Sequence, residues 1–136
     1  MNCTIKQDCL TPEEFAELFQ SAGWTPPESG QIKAALENSI AVFSAVSGNN
    51  TVGMARIVGD GAMTFFIKDV VVAPGYQGKG IGSLLISAIE NYVVNNTEPG
   101  WAASVELIAA SGKELFYKKH GFRTDCGTGM MKMIRR

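Results

Sequence analysis

Six residues, Gln77-Gly78-Lys79-Gly80-Ile81-Gly82, carry the densest chemical signal in this chain. Glycines at alternate positions let the backbone turn tightly and leave amide N–H groups uncovered. A helix opening directly after them adds four unpaired N–H groups and the positive end of its dipole. Such a corner binds anions, phosphate above all. Spacing narrows the choice of phosphate ligand. A nucleoside-triphosphate loop needs G-x-x-x-x-G-K-S/T, but Gly75 to Gly80 is followed by Ile81, and Lys79 lies inside the loop. A dinucleotide fingerprint needs G-x-G-x-x-G with an acidic residue about twenty positions on, at the end of a second strand. Here the third glycine comes one position early, and at that distance lies only the turn Thr97-Glu98-Pro99-Gly100.

Two elements must hold the corner in place. Before it, Phe65, Phe66, Ile67, Val70, Val71 and Val72 form an apolar, β-branched run that Pro74 and Gly75 end, which predicts a buried strand from Met63 to Ala73. After it, Ile81, Leu84, Leu85, Ala88, Ile89 and Tyr92 fall on the stripe of a one-sided helix, whose apolar face must lie against the sheet.

The combination of an apolar strand ending in V-x-P with Gln77, Gly80 and Gly82 resembles the acetyl-CoA-binding motif of the GNAT superfamily of N-acetyltransferases, Q/R-x-x-G-x-G/A. The later segment Phe116-Tyr117-Lys118-Lys119-His120-Gly121-Phe122 is similar to a second signature of that family. The resemblance implies that acetyl-CoA, as co-substrate, contacts Gln77, Gly78, Lys79, Gly80, Ile81, Gly82 and Ser83 with its pyrophosphate end. It also implies that the pantetheine arm runs beside Val70, Val71 and Val72 as a short extra strand, with a backbone N–H near Val71 facing the developing oxyanion. Tyr117 matches the family tyrosine that protonates the departing thiolate, and a phenol pKa of about 10 suits that task. Removing the amine proton falls to Asp69 or Glu106, either directly or through water; Asp69 also has a structural reading as a plain carboxylate.

Composition sets the class. With 136 residues the chain is expected to be a single domain, residues 1–136, able to bury a core without disulfides or metal. A hydrophobic content of 46% against 18% charged residues excludes a disordered chain, and a net charge of −1 argues against nucleic-acid binding, which relies on a basic face. Cys3, Cys9 and Cys126 are odd in number and scattered, so they form no complete disulfide framework, and His120 stands without the spacing of a metal site. No apolar run approaches the roughly 20 residues that span a bilayer, and no secretory leader is evident, which predicts a cytoplasmic protein with no membrane partner.

Along the chain, Asn2–Gln7 is a strand candidate. Thr11-Pro12-Glu13-Glu14 is a capping box that opens a helix closed by Gly23, and Thr25-Pro26-Pro27-Glu28 repeats the start signal for a second helix reaching about Asn38. Phe19 and Trp24 are conceivable acceptor contacts by resemblance, although ordinary packing explains them as well. Ser39–Ser47 and Thr51–Val58 read as a hairpin, leading through Gly59-Asp60-Gly61 into the Met63–Ala73 strand. The helix after the glycine corner crosses over to a parallel strand, Ala102–Ala109. Ser111-Gly112-Lys113-Glu114 predicts a third capping box for a short helix ended by Gly121, and Phe122–Ile134 predicts two small strands. The expected fold is α/β, a GNAT (acyl-CoA N-acyltransferase) fold with a mixed, mostly antiparallel sheet flanked by helices in the order β-α-α-β-β-β-α-β-α-β-β.

Two functions stay open. One is an N-acetyltransferase acting on a small-molecule amine; the other is an idle domain that only binds acyl-CoA. A protein amino group is an alternative acceptor. The family's habit and the apolar end Met130, Met131, Met133 and Ile134 predict a homodimer.

Overall fold

A computed structural model describes residues 2–136, which divide into two compact units, one running to Glu106 and one from Leu107 to Arg136. In the first unit the elements follow the order β1 (Thr4–Gln7), α1 (Pro12–Ser21), α2 (Ser29–Glu37), β2 (Ala41–Ser47), β3 (Asn50–Gly59), β4 (Thr64–Val72), a 3-10 turn (Pro74–Tyr76), α3 (Ile81–Asn95) and β5 (Ser104–Glu106). The five strands form one sheet in sequence order, antiparallel except for the parallel pairing of β4 with β5. Short turns force β2–β3 and β3–β4 to pair antiparallel, β1 reaches β2 through α1 and α2, and the α3 crossover permits the parallel pairing of β4 with β5.

Both faces of the sheet are covered. On one face Phe15 and Leu18 of α1 and Ile32 of α2 bury against Met54 and Val71, which stand opposite each other on β3 and β4. On the other, α3 buries Ile81, Leu85, Ile86, Ile89 and Val93. Tyr92 of α3 meets Phe43 of β2 edge-on, with ring centroids 6.2 Å apart. Gly53 suits this packing: a Cβ there would lie 3.2 Å from the Val71 carbonyl and 3.3 Å from both Ala45 Cβ and Ile81 Cγ2, close enough that these neighbours would have to give by a few tenths of an ångström.

The first capping box forms as the sequence predicts. Thr11 N–H donates to Glu14 Oε1 at 2.9 Å, and Glu14 N–H donates to Thr11 Oγ1 at 3.1 Å. The second carboxylate oxygen of Glu14 accepts from the Thr51 hydroxyl, so the same side chain starts α1 and fastens it to β3. Burial pushes the Glu14 carboxyl up, but the Thr51 and Thr11 hydrogen bonds and the charge of Lys6 bring it below its ordinary value.

Three expectations need correction. The second helix starts at Ser29, not at Thr25-Pro26: Glu28 is its cap, accepting from Gln31 N–H at 3.3 Å, because consecutive prolines hold the residues before them extended. The third capping box does not form. Gly112 takes φ +82°, outside the helical region, so the last helix, α4 (Glu114–Lys119), begins without a side-chain cap, and Glu114 Oε1 accepts only the Gly112 N–H at 3.2 Å. The two strands expected from Phe122 to Ile134 do not form among the described residues, so the observed order ends at α4. Glycines at 127 and 129 weaken that stretch as a strand, and Met130, Met131, Met133 and Ile134 are exposed. β5 is also shorter than expected, three residues within the Ala102–Ala109 stretch.

Candidate active site

β4 is the element that positions the candidate site. Its pairing with β5 covers only Thr64, Phe65 and Phe66, opposite Ser104, Val105 and Glu106. Beyond Phe66 the edge of β4 that faced β5 continues to Val72 with no strand partner among the described residues. Its opposite edge stays on β3: Ala73 N–H donates to the Val52 carbonyl at 2.8 Å, and Val71 stands opposite Met54. Because backbone groups alternate along a strand, Val71 directs its amide toward β3, while Val70 and Val72 present theirs on the open edge. Of the amides next to Val71, those of Val70 and Val72 lie on the open edge and that of Val71 itself does not.

Midway along β4 the ladder slips. Val71 opposes Met54 and Lys68 opposes Arg56, so Asp69 and Val70 together face the single residue Ala55. This is a β-bulge, and Asp69 occupies it with φ +57°. Its carboxylate accepts from Arg56 Nε at 2.6 Å, both side chains being largely buried at 12% and 17% exposure. Arg56 carries no motif of its own in the sequence, and only the fold shows it as the partner of Asp69.

The glycine corner follows. Gln77 turns its side-chain amide back onto the Val72 carbonyl at 3.0 Å. Gly78 and Gly80 take φ +75° and +83°, conformations that favour glycine, and a Cβ at either position would meet nothing within 4 Å. Gly80 is also the cap residue of α3 and offers no side chain to its first turn, so the amides of Ile81 and Gly82 at the positive end of the helix dipole have no side-chain cap. Ser83 lies half-buried in that turn. Lys79 is exposed, its ammonium 5.7 Å from the centroid of the Tyr76 ring, so an aromatic neighbour holds the one cation of the loop beside the corner. An uncapped helix start with open space above glycine amides fits an anionic pyrophosphate.

Glu106 ends β5, exposed, and its carboxylate accepts from the Ser104 hydroxyl at 2.6 Å. Phe19 and Trp24 pack on each other edge-on at 5.1 Å just where α1 ends, and Trp24 remains 41% exposed.

In the second unit, Tyr117 sits on α4 between Phe116 and Phe122, with ring centroids at 5.0 and 5.9 Å. Gly121, at φ +88°, ends the helix and lets Phe122 N–H donate to the Tyr117 carbonyl at 3.2 Å, which seats the Phe122 ring against Tyr117. Burial raises the Tyr117 phenol above its ordinary pKa, so it keeps its proton at neutral pH.

Comparison with known proteins places the chain in a family. A family model described as an acetyltransferase (GNAT) domain matches residues 38–124, which include the bulged strand, the glycine corner and Tyr117. The chain belongs to the GNAT acetyltransferase family. It is 30% identical over 116 residues to an uncharacterized N-acetyltransferase of Pyropia yezoensis, covering 82% of this chain and 64% of that protein. It is 34% identical over 123 residues to a histone acetyltransferase of Glycine max, covering 82% and 52%. A crystal structure of a probable acetyltransferase from meticillin-resistant Staphylococcus aureus superimposes with a TM-score of 0.87 at 29% identity, over 98% of this GNAT chain and 100% of the other. The chain spans a little under two thirds of the length of the first of these curated relatives and about half of the second.

Proposed function

We propose that this GNAT chain is an N-acetyltransferase that carries an acetyl group from acetyl-CoA to the primary amine of a small molecule. The observation that carries the reading is the open edge of β4 beyond Phe66, running directly into the uncapped glycine corner. An amide-bearing arm completes a strand edge with backbone hydrogen bonds, and a pyrophosphate completes a helix N-terminus. Both needs occur here on neighbouring elements, the end of β4 and the start of α3, joined by the 3-10 turn Pro74–Tyr76. When bound, acetyl-CoA supplies the activated acetyl group as a thioester.

The chain's own residues then have four tasks. The amides from Gly78 to Gly82 hold the pyrophosphate, with Lys79 adding a point charge. Val70 and Val72 bond the arm along the open edge and fix its reach, which turns a bimolecular step into an effectively unimolecular one. The Val70 N–H faces the carbonyl oxygen as charge develops on it. Tyr117, neutral and raised in pKa, gives its proton to the thiolate as the C–S bond breaks and the C–N bond forms. The amine proton passes to water beside Glu106, whose carboxylate is exposed; the Asp69 carboxylate is already committed to Arg56.

A second acceptor, a protein amino group, is favoured by the likeness to the histone acetyltransferase of Glycine max. The free cysteines Cys3, Cys9 and Cys126 support a reducing, cytoplasmic setting, and the exposed Met130, Met131, Met133 and Ile134 support a homodimer. The test is a panel of small primary amines and lysine-bearing peptides incubated with acetyl-CoA, with release of free thiol as readout. Thiol release with a small amine and not with peptides is the expected result. Release with peptides alone moves the acceptor to protein, and release with neither overturns the transferase reading.

A further inference from the structure

Asp69 is one of only two residues other than glycine that take a positive φ among the described residues, and it does so at a bulge position where glycine is the usual occupant. A glycine would hold that conformation without strain, so the presence of an acid calls for a reason. The reason is Arg56. Its Nε donates to the Asp69 carboxylate at 2.6 Å, and its Nη1 reaches the Ser39 hydroxyl at 3.4 Å. Ser39 in turn donates to the Ala35 carbonyl of α2 at 2.7 Å. The guanidinium is thus braced from α2 on one side and grips the bulge on the other, in a largely buried setting where a charge-assisted bond is strong.

We infer that Arg56 is a positioning residue: by holding the Asp69 carboxylate it locks the left-handed bulge of β4 and so fixes the direction of the Val70 amide on the open edge. The inference rests on the acetyltransferase reading for what that amide serves. A bulge adds one residue and extra twist to a strand, so the residue after it is the one whose backbone groups are re-aimed. Val70 is that residue. The role assigned to Asp69 is structural support of a backbone donor, not proton abstraction.

The test separates these roles. Arg56→Met leaves the Asp69 carboxylate without its cation, and the bulge relaxes; kcat should fall by about ten- to a hundred-fold, short of the loss expected when an oxyanion donor is removed outright, with KM for the amine little changed. The double variant Arg56→Met with Asp69→Gly carries neither charge, and its glycine adopts the positive φ unaided; kcat should return to within a few-fold of wild type. The Val70 amide resonance, followed by NMR, should shift in Arg56→Met and return in the double variant. Wild-type kcat and an unmoved Val70 resonance in Arg56→Met overturn the inference. So does a double variant as slow as Asp69→Asn, because the carboxylate itself would then act in the chemistry. If Arg56→Met does not fold, the double variant decides alone on the same criterion. If the wild type transfers no acetyl group, the functional reading fails by itself, and the Val70 resonance still tests the positioning.

Discussion

Gln77 donates its side-chain amide to the main-chain carbonyl of Val72 at 3.0 Å, joining the first residue of the glycine motif to the last residue of the strand before it. The bond explains why a polar side chain of this reach opens the motif: it draws the corner back over the end of β4 and fixes where the loop amides begin. A net hydrogen bond is worth about 1 kcal/mol, or roughly a five-fold change in an equilibrium constant. Gln77→Leu should therefore lower stability by about 1 kcal/mol and, through the loosened corner, weaken acetyl-CoA binding by up to that factor. Gln77→Arg, which keeps a donor of sufficient length, should bind like the wild type. Calorimetric titration of both variants checks this; equal affinity in Gln77→Leu would detach the bond from binding.

Tyr117 supplies a prediction with a pH signature. If its hydroxyl protonates the thiolate, Tyr117→Phe should lower kcat by roughly 10²- to 10⁴-fold while acetyl-CoA affinity survives. Burial raises the phenol above its ordinary 10.0, so the wild-type rate should hold through neutral pH and fall only above about pH 10, and that alkaline limb should be missing in Tyr117→Phe. Stability follows the same sign. The folded state binds this proton more tightly than the unfolded state does, so its contribution is complete below about pH 10 and is lost as pH climbs through the folded pKa. Rates and unfolding curves measured across that range check both statements.

Gly59 offers a control on the fold itself. Its φ is +141°, and a Cβ there would stand 2.1 Å from the Thr64 carbonyl oxygen, a main-chain atom that cannot swing aside. Gly59→Ala should cost about 2–4 kcal/mol in denaturant unfolding, combining backbone strain with displacement of the β3–β4 turn. The Asp60 carboxylate, which accepts from Ala62, Met63 and Thr64 N–H at 2.9, 2.8 and 3.0 Å, holds that turn and limits how far it yields. A variant as stable as wild type would show that the turn repacks.

Much of this was legible in the residues, for identifiable reasons. The glycine corner, the α3 stripe and the Thr11–Glu14 box are local patterns, and local geometry reproduces them. The parallel partner of β4 followed from the length of the crossover. What escaped was set by register. Arg56 and Asp69 are 13 residues apart and meet across the β3–β4 ladder, whose exact register, one-residue slip included, no spacing rule announces. The same register directs the Val71 amide to β3 and leaves those of Val70 and Val72 on the open edge. Ser111 failed as a cap because Gly112 adopted a left-handed conformation, a choice that composition leaves free. The strands expected after Phe122 rested on apolar content alone, without the alternation that fixes a face.

The central claim is that the corner from Gln77 to Gly82 holds the pyrophosphate of acetyl-CoA, and titration of the wild type and Gly80→Glu with acetyl-CoA tests it most directly. A side chain at Gly80 has room, so the substitution should add about 1–2 kcal/mol of left-handed strain without disturbing the core, while placing a carboxylate beside the amides. The wild type should bind acetyl-CoA measurably, and a folded Gly80→Glu should show no measurable binding. Equal affinity in the two proteins, with circular dichroism confirming that both are folded, would contradict it.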